Sequence, residues 1–396
     1  MKSEWKEYSL GELYEVHNGL SKGRKFFGRG YPFLSFSTVF NRYFLPEKLT
    51  DLVESTEKER ETLSIRRGDI FITRTSETYD ELGMSCVALK NYPNATFNGF
   101  TKRLRPHEEG RVLPEFIGYF LRSPQFRRKF EQIANVTTRA SLSNGDLLNM
   151  VVSLPPLPIQ RKISSILSAL DDKIEINNAI CRNLEEQTKA LYKSWFVDFE
   201  PFGKQRPSNW NEKDIYSLCE IIYGAPFSSK LFNQDKKGLP LIRIRDLNKQ
   251  ESDVYTDEDH PKAYIIHAGD IVVGMDGEFS PYIWGGDAGL LNQRVCVFKN
   301  KRKKGSFFLY FSIKPQLEYI EQTEMATTVI HIGKKDFDAF STFLPDEKVL
   351  DNFDEITFPF YEEIIHRRKE NRRLTSIRES LLPRLMSGEL TVERIK

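Results

Sequence analysis

The sequence predicts an α+β protein made of two related domains, each followed by one long helix, with the two helices pairing as an antiparallel coiled coil. Three observations carry that prediction. First, Trp5, Glu7, Leu13, Glu15 and Gly19 align without gaps on Trp210, Glu212, Leu218, Glu220 and Gly224, an offset of 205 residues (Trp210 against Trp5). Second, each copy has the same internal order, a strand-rich region and then a long helical one. Third, the same heptad spacing appears after both copies. A repeat this long is a duplicated domain with pseudo-twofold symmetry, neither a short solenoid module nor low complexity.

The repeat continues through Pro32-Phe33-Leu34 against Pro240-Leu241-Ile242 and through Ile65-Arg66-Arg67-Gly68-Asp69-Ile70 against Ile266-His267-Ala268-Gly269-Asp270-Ile271. Near the end of each copy, Thr137-Thr138, Asp146 and Leu154-Pro155 answer Thr327-Thr328, Asp336 and Leu344-Pro345, now at an offset of 190 (Thr327 against Thr137). Residues 31–36, 69–73 and 85–89 carry β-branched and aromatic residues between Gly, Pro, Asn and Asp, which predicts strands. Leu113 to Ile133 then reads as a helix, with Phe116, Tyr119, Phe120, Phe126 and Phe130 near helical spacing. In the second copy, 239–244, 270–273 and 294–298 are the matching strands and 305–323 the matching helix. Asp69 and Asp270 follow glycine at turns, where holding the turn is the expected role.

Past Leu154-Pro155-Pro156-Leu157-Pro158 the period changes. Ile163, Leu167, Leu170, Ile174, Asn177, Cys181, Leu184, Thr188, Leu191 and Trp195 recur at alternating steps of four and three, a heptad seam with polar breaks at Asn177 and Thr188. Phe353, Thr357, Phe360, Ile364, Arg367, Asn371, Leu374, Arg378, Leu381 and Leu385 repeat it, which sets Asn177 over Arg367 and Thr188 over Arg378. A helix of about 35 residues spans roughly 50 Å. Neither seam can bury itself, so the two helices are expected to pack on each other. The expected division is 1–157 for the first domain, 158–203 for its helix, 204–346 for the second domain and 347–396 for the last helix; Pro201, Gly203 and Pro207 mark the linker.

With 396 residues, each domain has enough chain for its own core. A mean hydropathy of −0.48, no run of about 18 apolar residues and no apolar start predict a cytoplasmic protein. Cys86, Cys181, Cys219 and Cys296 form no CxxC pair and are expected as buried thiols. The net charge of +2 permits nucleic-acid binding only where basic residues gather on one face.

Enzyme chemistry leaves no such pattern. Gly23-Arg24-Lys25-Phe26-Phe27-Gly28-Arg29 lacks the spacing and lysine of a phosphate loop, and the six histidines form no HExxH. Asp257, Glu258, Asp259 and His260 satisfy no metal spacing and read as a solvated loop. Pro345-Asp346-Glu347-Lys348 only superficially resembles a nuclease site. The chain reads as catalytically silent, binding no cofactor and no metal.

Taken in order and twice over, these features resemble the DNA-specificity subunit of type I restriction-modification systems. The residues that carry the resemblance are Pro240-Leu241-Ile242-Arg243-Ile244-Arg245-Asp246-Leu247, Ala268-Gly269-Asp270-Ile271-Val272-Val273, the helix entry Leu154-Pro155-Pro156-Leu157-Pro158-Ile159-Gln160 and the exit Trp195-Phe196-Val197-Asp198-Phe199-Glu200-Pro201-Phe202. Leu344-Pro345-Asp346-Glu347 departs from the usual proline-rich entry, which bears on how the second helix begins. The resemblance implies two target recognition domains, each reading one half of a split, asymmetric duplex target, with the coiled coil as a ruler between the halves. It implies as partners double-stranded DNA, two methyltransferase subunits and two restriction-translocase subunits, with S-adenosylmethionine, ATP and magnesium bound by those subunits.

The expected DNA contacts are Lys22, Arg24, Lys25, Ser35, Ser37, Arg74, Thr75, Ser76, Asn98, Lys102, Thr137, Thr138 and Arg139 in the first domain. In the second they are Ser228, Ser229, Lys230, Arg243, Arg245, Asn292, Gln293, Arg294, Thr327, Thr328 and His331. The apolar helix ends, Trp195, Phe196 and Phe199, and Ile377, Leu381, Leu382 and Leu385, are expected to be buried in the coiled coil with a remainder for partner subunits. The rival readings are a stand-alone two-domain DNA-binding regulator, a scaffold that binds protein or glycan, and a cryptic nuclease.

Overall fold

The computed structural model describes residues 5–76, 82–133, 140–277, 279–324 and 331–392. The chain folds as two units, Met1–Asp172 with Thr375–Lys396, and Lys173–Leu374.

The first unit is built on an antiparallel sheet in the order Tyr14–Asn18, Thr101–Pro106, Ile70–Thr73, Ser85–Val87. Ile70–Thr73 is buried along its whole length, which is why an inner strand reads as a continuous apolar run. A second sheet orders Leu52–Val53, Phe27–Leu34 and Thr96–Phe97, the last two pairing in parallel. Lys6–Ser9 pairs with Val151–Leu154, so the start of the copy lies beside the strand that feeds the long helix. The second unit repeats this plan. Cys219–Tyr223, Val295–Asn300, Ile271–Gly274 and Pro281–Ile283 form one sheet; Tyr255–Thr256, Leu239–Ile242, Gly289–Leu291 and Ile265–Ile266 form another. Leu239–Ile242 again pairs in parallel with Gly289–Leu291, and Asn211–Asp214 pairs with Ser341–Leu344.

Three sequence expectations change in detail. The strand expected over 239–244 ends at Ile242, because Ile244 opens the helix Ile244–Leu247. The strand expected to reach Phe36 ends at Leu34, because Ser35 starts the helix Phe36–Asn41. The helix expected over 113–133 is two helices, Pro114–Arg122 and Pro124–Ile133. Pro124 forces Ser123 out of the helical region, to ψ 147, and the Ser123 hydroxyl donates to the Phe120 carbonyl at the break. Phe116, Tyr119, Phe120, Phe126 and Phe130 are all buried in one core with Ile70, Ile72 and Leu104. In the second unit the matching helix, Ser306–Glu324, runs on through Pro315.

Glycine turns carry both copies. Gly68 (φ 89) and Gly269 (φ 100) adopt the left-handed conformation just before Asp69 and Asp270. Asp69 then accepts from the Arg66 N–H and takes a two-pronged ion pair from Arg105 at 2.8 and 2.6 Å; Asp270 accepts from the His267 N–H at 2.7 Å. Both aspartates hold turns.

The long helices are Leu157–Phe196 and Glu347–Met386. The second begins just after Pro345-Asp346, with the Asp346 carboxylate held by the Asn209 amide at 2.8 and 2.9 Å. Every seam position is buried or half-buried, and each unit contains an antiparallel piece of the pair. In the first unit Ile163 and Leu167 share a core with Leu382, Leu385 and Met386. Asp171 accepts from Tyr119 at 2.6 Å and from Arg378 at 2.6 Å, tying both helix pieces to the domain. In the second unit Trp195 and Phe196 pack on Phe353, and Cys181 lies against the Ile364 carbonyl. Buried Asn177 donates to Asn371 and Glu370, each at 2.8 Å, and Asn371 donates back to Asn178 at 2.8 Å.

Of the two expected polar pairs, one is in contact and the other is not. Arg367 reaches Asn177 at 3.5 Å. Thr188 instead donates to its own Leu184 carbonyl in the second unit, while Arg378 belongs to the first unit and donates to Asp171. The helix-end aromatics are largely covered: Phe196, Phe199 and Phe202 surround buried Trp210, stapling the linker to the second copy. Ile377 keeps about half of its surface in solvent.

Candidate nucleic-acid interface

In each unit one end of the first sheet gathers the polar residues. In the first unit it is the end where Tyr14–Asn18 and Ile70–Thr73 finish and Thr101–Pro106 begins. The loop Asn98 to Thr101 closes it as a tight turn, with the Thr101 N–H donating to the Asn98 carbonyl at 3.0 Å. The Asn98 side chain accepts from the Phe100 N–H at 2.7 Å, and the Phe100 carbonyl accepts from the Arg74 N–H at 3.0 Å. Gly19 lies so close to this turn that a Cβ there would stand 2.1 Å from the Asn98 carbonyl oxygen.

Lys102 is buried at this end, its ammonium held by the amide oxygens of Asn18 (3.3 Å) and Asn144. Its pKa is lowered, first by burial and then by the charge of Arg74. The arrangement is a cation on neutral amides beside a second cation, which leaves local positive charge for an anion. Arg24 and Lys25 are exposed on the neighbouring loop. Lys22 is tied to Glu59 at 2.7 Å and to the Glu54 carbonyl at 2.7 Å. Ser35 and Ser37 hydrogen-bond one another at 3.2 Å at the start of Phe36–Asn41. Thr75 and Ser76 form a short strand against Ala140–Ser141. Thr137, Thr138 and Arg139 lie outside the described residues, as do Thr327 and Thr328.

The second unit builds the same end from different side chains. Asn292 to Val295 makes the same turn, the Val295 N–H donating to the Asn292 carbonyl at 2.9 Å and the Met275 N–H to the Arg294 carbonyl at 2.9 Å. Asp276 joins the cluster, 2.6 Å from His331 and 3.6 Å from the Arg294 Nε. Gln293, Arg294 and His331 are exposed. Ser228, Ser229 and Lys230 are exposed on a separate loop, where the Ser228 N–H donates to Glu258. Arg243 is held by Asp246 at 2.8 and 3.1 Å and by Asp253 at 2.8 Å, whose hydrogen bonds and charges raise its pKa. Arg245 is exposed on the short helix Ile244–Leu247.

The structure thus brings Arg74, Asn98 and Lys102 together, and Asn292, Gln293, Arg294 and His331 together. It gives Lys22 and Arg243 acid partners of their own. Sequence reasoning missed Phe100 and Asp276. Aligning Asn98-Gly99-Phe100-Thr101 on Asn292-Gln293-Arg294-Val295 would have found the first; nothing local to Asp276 announces the second. Among the described residues no group of three or more His, Cys, Asp and Glu is placed to hold a metal ion, and no helix is long and apolar enough to cross a membrane.

Comparison with known proteins agrees with this duplicated plan. The model of the type I restriction modification DNA specificity domain matches residues 2–186 and again 207–369. The chain is 22% identical to the type I restriction enzyme MjaIX specificity subunit of Methanocaldococcus jannaschii, covering 99% of this chain and 95% of that one. It is 24% identical to the HindI specificity subunit of Haemophilus influenzae, covering 98% and 100%. The S subunit of a type I restriction-modification system from M. genitalium shares the fold at a TM-score of 0.54, with 14% identity and 96% of each chain covered. The chain belongs to the family defined by the type I restriction-modification DNA specificity domain and carries that domain twice.

Proposed function

We propose that this chain is the DNA-reading, non-catalytic specificity subunit of a type I restriction-modification complex, each unit reading one half of a split and asymmetric duplex target. The observation that carries the reading is the duplicated sheet end: one backbone frame, held by the same turn bonds, presents Phe100 next to Arg74 in one unit and Gln293 and Arg294, with His331 joined through Asp276, in the other. A shared frame with different side chains suits two half-sites of different sequence. The functional modules are residues 1–157 and 204–346 as recognition domains and 158–203 and 347–396 as helices. Through those helices the chain recruits methyltransferase subunits and restriction-translocase subunits, two of each, and it works in the cytoplasm. S-adenosylmethionine, ATP and magnesium belong to those partners.

Among the residues expected to touch DNA, Arg24, Lys25, Ser37, Ser228, Ser229, Lys230 and Arg245 suit phosphate contacts by their exposure, and Arg74, Gln293, Arg294 and His331 suit the grooves by their clustering. The test is binding of the chain, purified with its partner subunits, to duplex DNA at several salt concentrations. Neutralised phosphates make log affinity fall linearly with log salt, with a slope of about −0.9 per contact. A steep slope, together with a preferred sequence that resists competitor DNA, supports the reading. Affinity indifferent to salt and sequence would point to the scaffold alternative.

A further inference from the structure

The third residue of the duplicated turn leaves the same anchored backbone in both units. Phe33↔Thr96 and Leu34↔Phe97 pair in parallel in the first unit, as Leu241↔Leu290 and Ile242↔Leu291 do in the second. The bridges Leu20↔Asn98 and Ala225↔Asn292 then fix the turns on the same neighbour. Gly19 and Gly224 close against the Asn98 and Asn292 carbonyls, leaving no room for a Cβ. Phe100 and Arg294 follow two residues later, each with its carbonyl tied to the residue beyond the adjacent strand. This backbone is rigid, and the side chains it projects are in solvent: Phe100 is 58% exposed and the Arg294 side chain 51%.

Phe100 has the most exposed ring of the phenylalanines among the described residues. An apolar ring this exposed, on a turn whose carbonyl accepts from the Arg74 N–H, belongs to none of this unit's core clusters. A partner that covers it gains apolar burial next to a site charged for an anion. Arg294 differs in kind. Asp276 lies against its Nε edge, a contact that orients a guanidinium and leaves its terminal nitrogens for a planar acceptor pair.

We infer that this turn position is a base-reading position in each unit: Phe100 against the 5-methyl group of a thymine in one half-site, and Arg294 on the O6 and N7 of a guanine in the other. A phenyl ring has no hydrogen-bonding atom, so the thymine methyl is the feature of a major-groove base edge that it can select. The guanidinium fork matches guanine. The inference rests on each unit reading DNA, and it adds which residue distinguishes the two half-sites.

The test replaces the gene in its own cell by F100A, F100L or R294Q and maps methyl-adenine across the genome, with a gene deletion as reference. The expected result for F100A is a motif relaxed at one thymine position of one half-site, the other half unchanged, while F100L keeps the motif. R294Q is expected to relax one guanine position in the opposite half. In each case base preference falls roughly ten- to hundred-fold. A motif unchanged in F100A and R294Q, or methylation that falls evenly at all sites with base preferences intact, would overturn the inference. So would loss of methylation in F100L alongside F100A. A map unaffected by deleting the gene would overturn the underlying reading instead. Melting temperatures of the purified variants are expected to equal that of the parent, as both side chains are exposed.

Discussion

Replacing Gly19 or Gly224 by alanine is a sharp perturbation of the candidate interface. A Cβ on Gly19 would lie 2.1 Å from the Asn98 carbonyl oxygen and 2.6 Å from its carbon; on Gly224 it would lie 2.0 Å and 2.4 Å from the same atoms of Asn292. Real Cβ contacts do not fall below 3.0 Å, so the turn must retreat by about 1 Å. The obstructing atoms are backbone, pinned by the Thr101 and Val295 N–H bonds and by sheet pairing on either side. Overpacking against so fixed a neighbour costs about 2 to 3 kcal/mol. For a unit of this size that corresponds to a fall in melting temperature of roughly 4 to 10 °C. The control is Gly23→Ala, at φ −69 with nothing within 4 Å of its added Cβ, where the expected change is zero or a slight gain. Thermal unfolding followed by circular dichroism measures all three, and duplex binding by the complex follows the consequence, weakened reading in one half-site for each variant. G19A and G224A melting with G23A and the parent would refute the claim that these glycines exist to let the turn close.

Asp171→Ala removes the acceptor of buried Tyr119 and the partner of Arg378; since Asp171 is about one-quarter exposed, the expected loss is about 2 kcal/mol, read by urea unfolding, and Asp171→Asn should recover part of it through the Tyr119 hydrogen bond. Burial raises the Asp270 carboxyl above its ordinary value of 3.8, so the folded state holds that proton more tightly than the unfolded one. Its contribution is fully present below pH 3.8 and lost as the pH rises through the raised value. Asp270→Asn should therefore gain stability relative to the parent between pH 4 and neutrality, and a difference independent of pH would contradict the assignment. All four cysteines are buried, and burial pushes Cys86 and Cys219 up to about 12 and raises Cys181 as well. Native protein should react with a thiol reagent at none of them and denatured protein at all four; rapid labelling of the native chain would contradict the burial.

The repeat, the seam and the strand positions were legible because each rests on spacing. Ile70-Phe71-Ile72 and Ile271-Val272-Val273 are inner strands buried on both faces, and such runs announce themselves. Asn177 was legible as a polar break, and its bonds to Asn371 and Glu370 show what the break holds. The pairing of Thr188 with Arg378 was not, since an offset in sequence says which residues are equivalent and nothing about which meet. Pro124 was visible in the sequence, yet the aromatic spacing across it masked the break that the pre-proline restriction imposes on Ser123.

The candidate site was less legible than the fold. The search for basic residues after strands picked out Arg74 and Arg294, which lie at the proposed interface, but composition cannot distinguish an arginine free for a partner from one claimed by its own fold. Arg243 is held by Asp246 and Asp253, which follow it by three and ten residues, and Lys22 by Glu59 far along the chain. Asn98 was chosen for its amide and serves the turn with it; the exposed residue is Phe100, which a search for polar groups passes over.

Under the proposed function, two unlike halves of one chain specify two unlike halves of one DNA target. Mapping methyl-adenine genome-wide in the source cell, with and without this gene, tests it most directly. The predicted result is a split motif with dissimilar halves that disappears when the gene is deleted and returns when it is restored. A methylation pattern that is the same in both strains would contradict it.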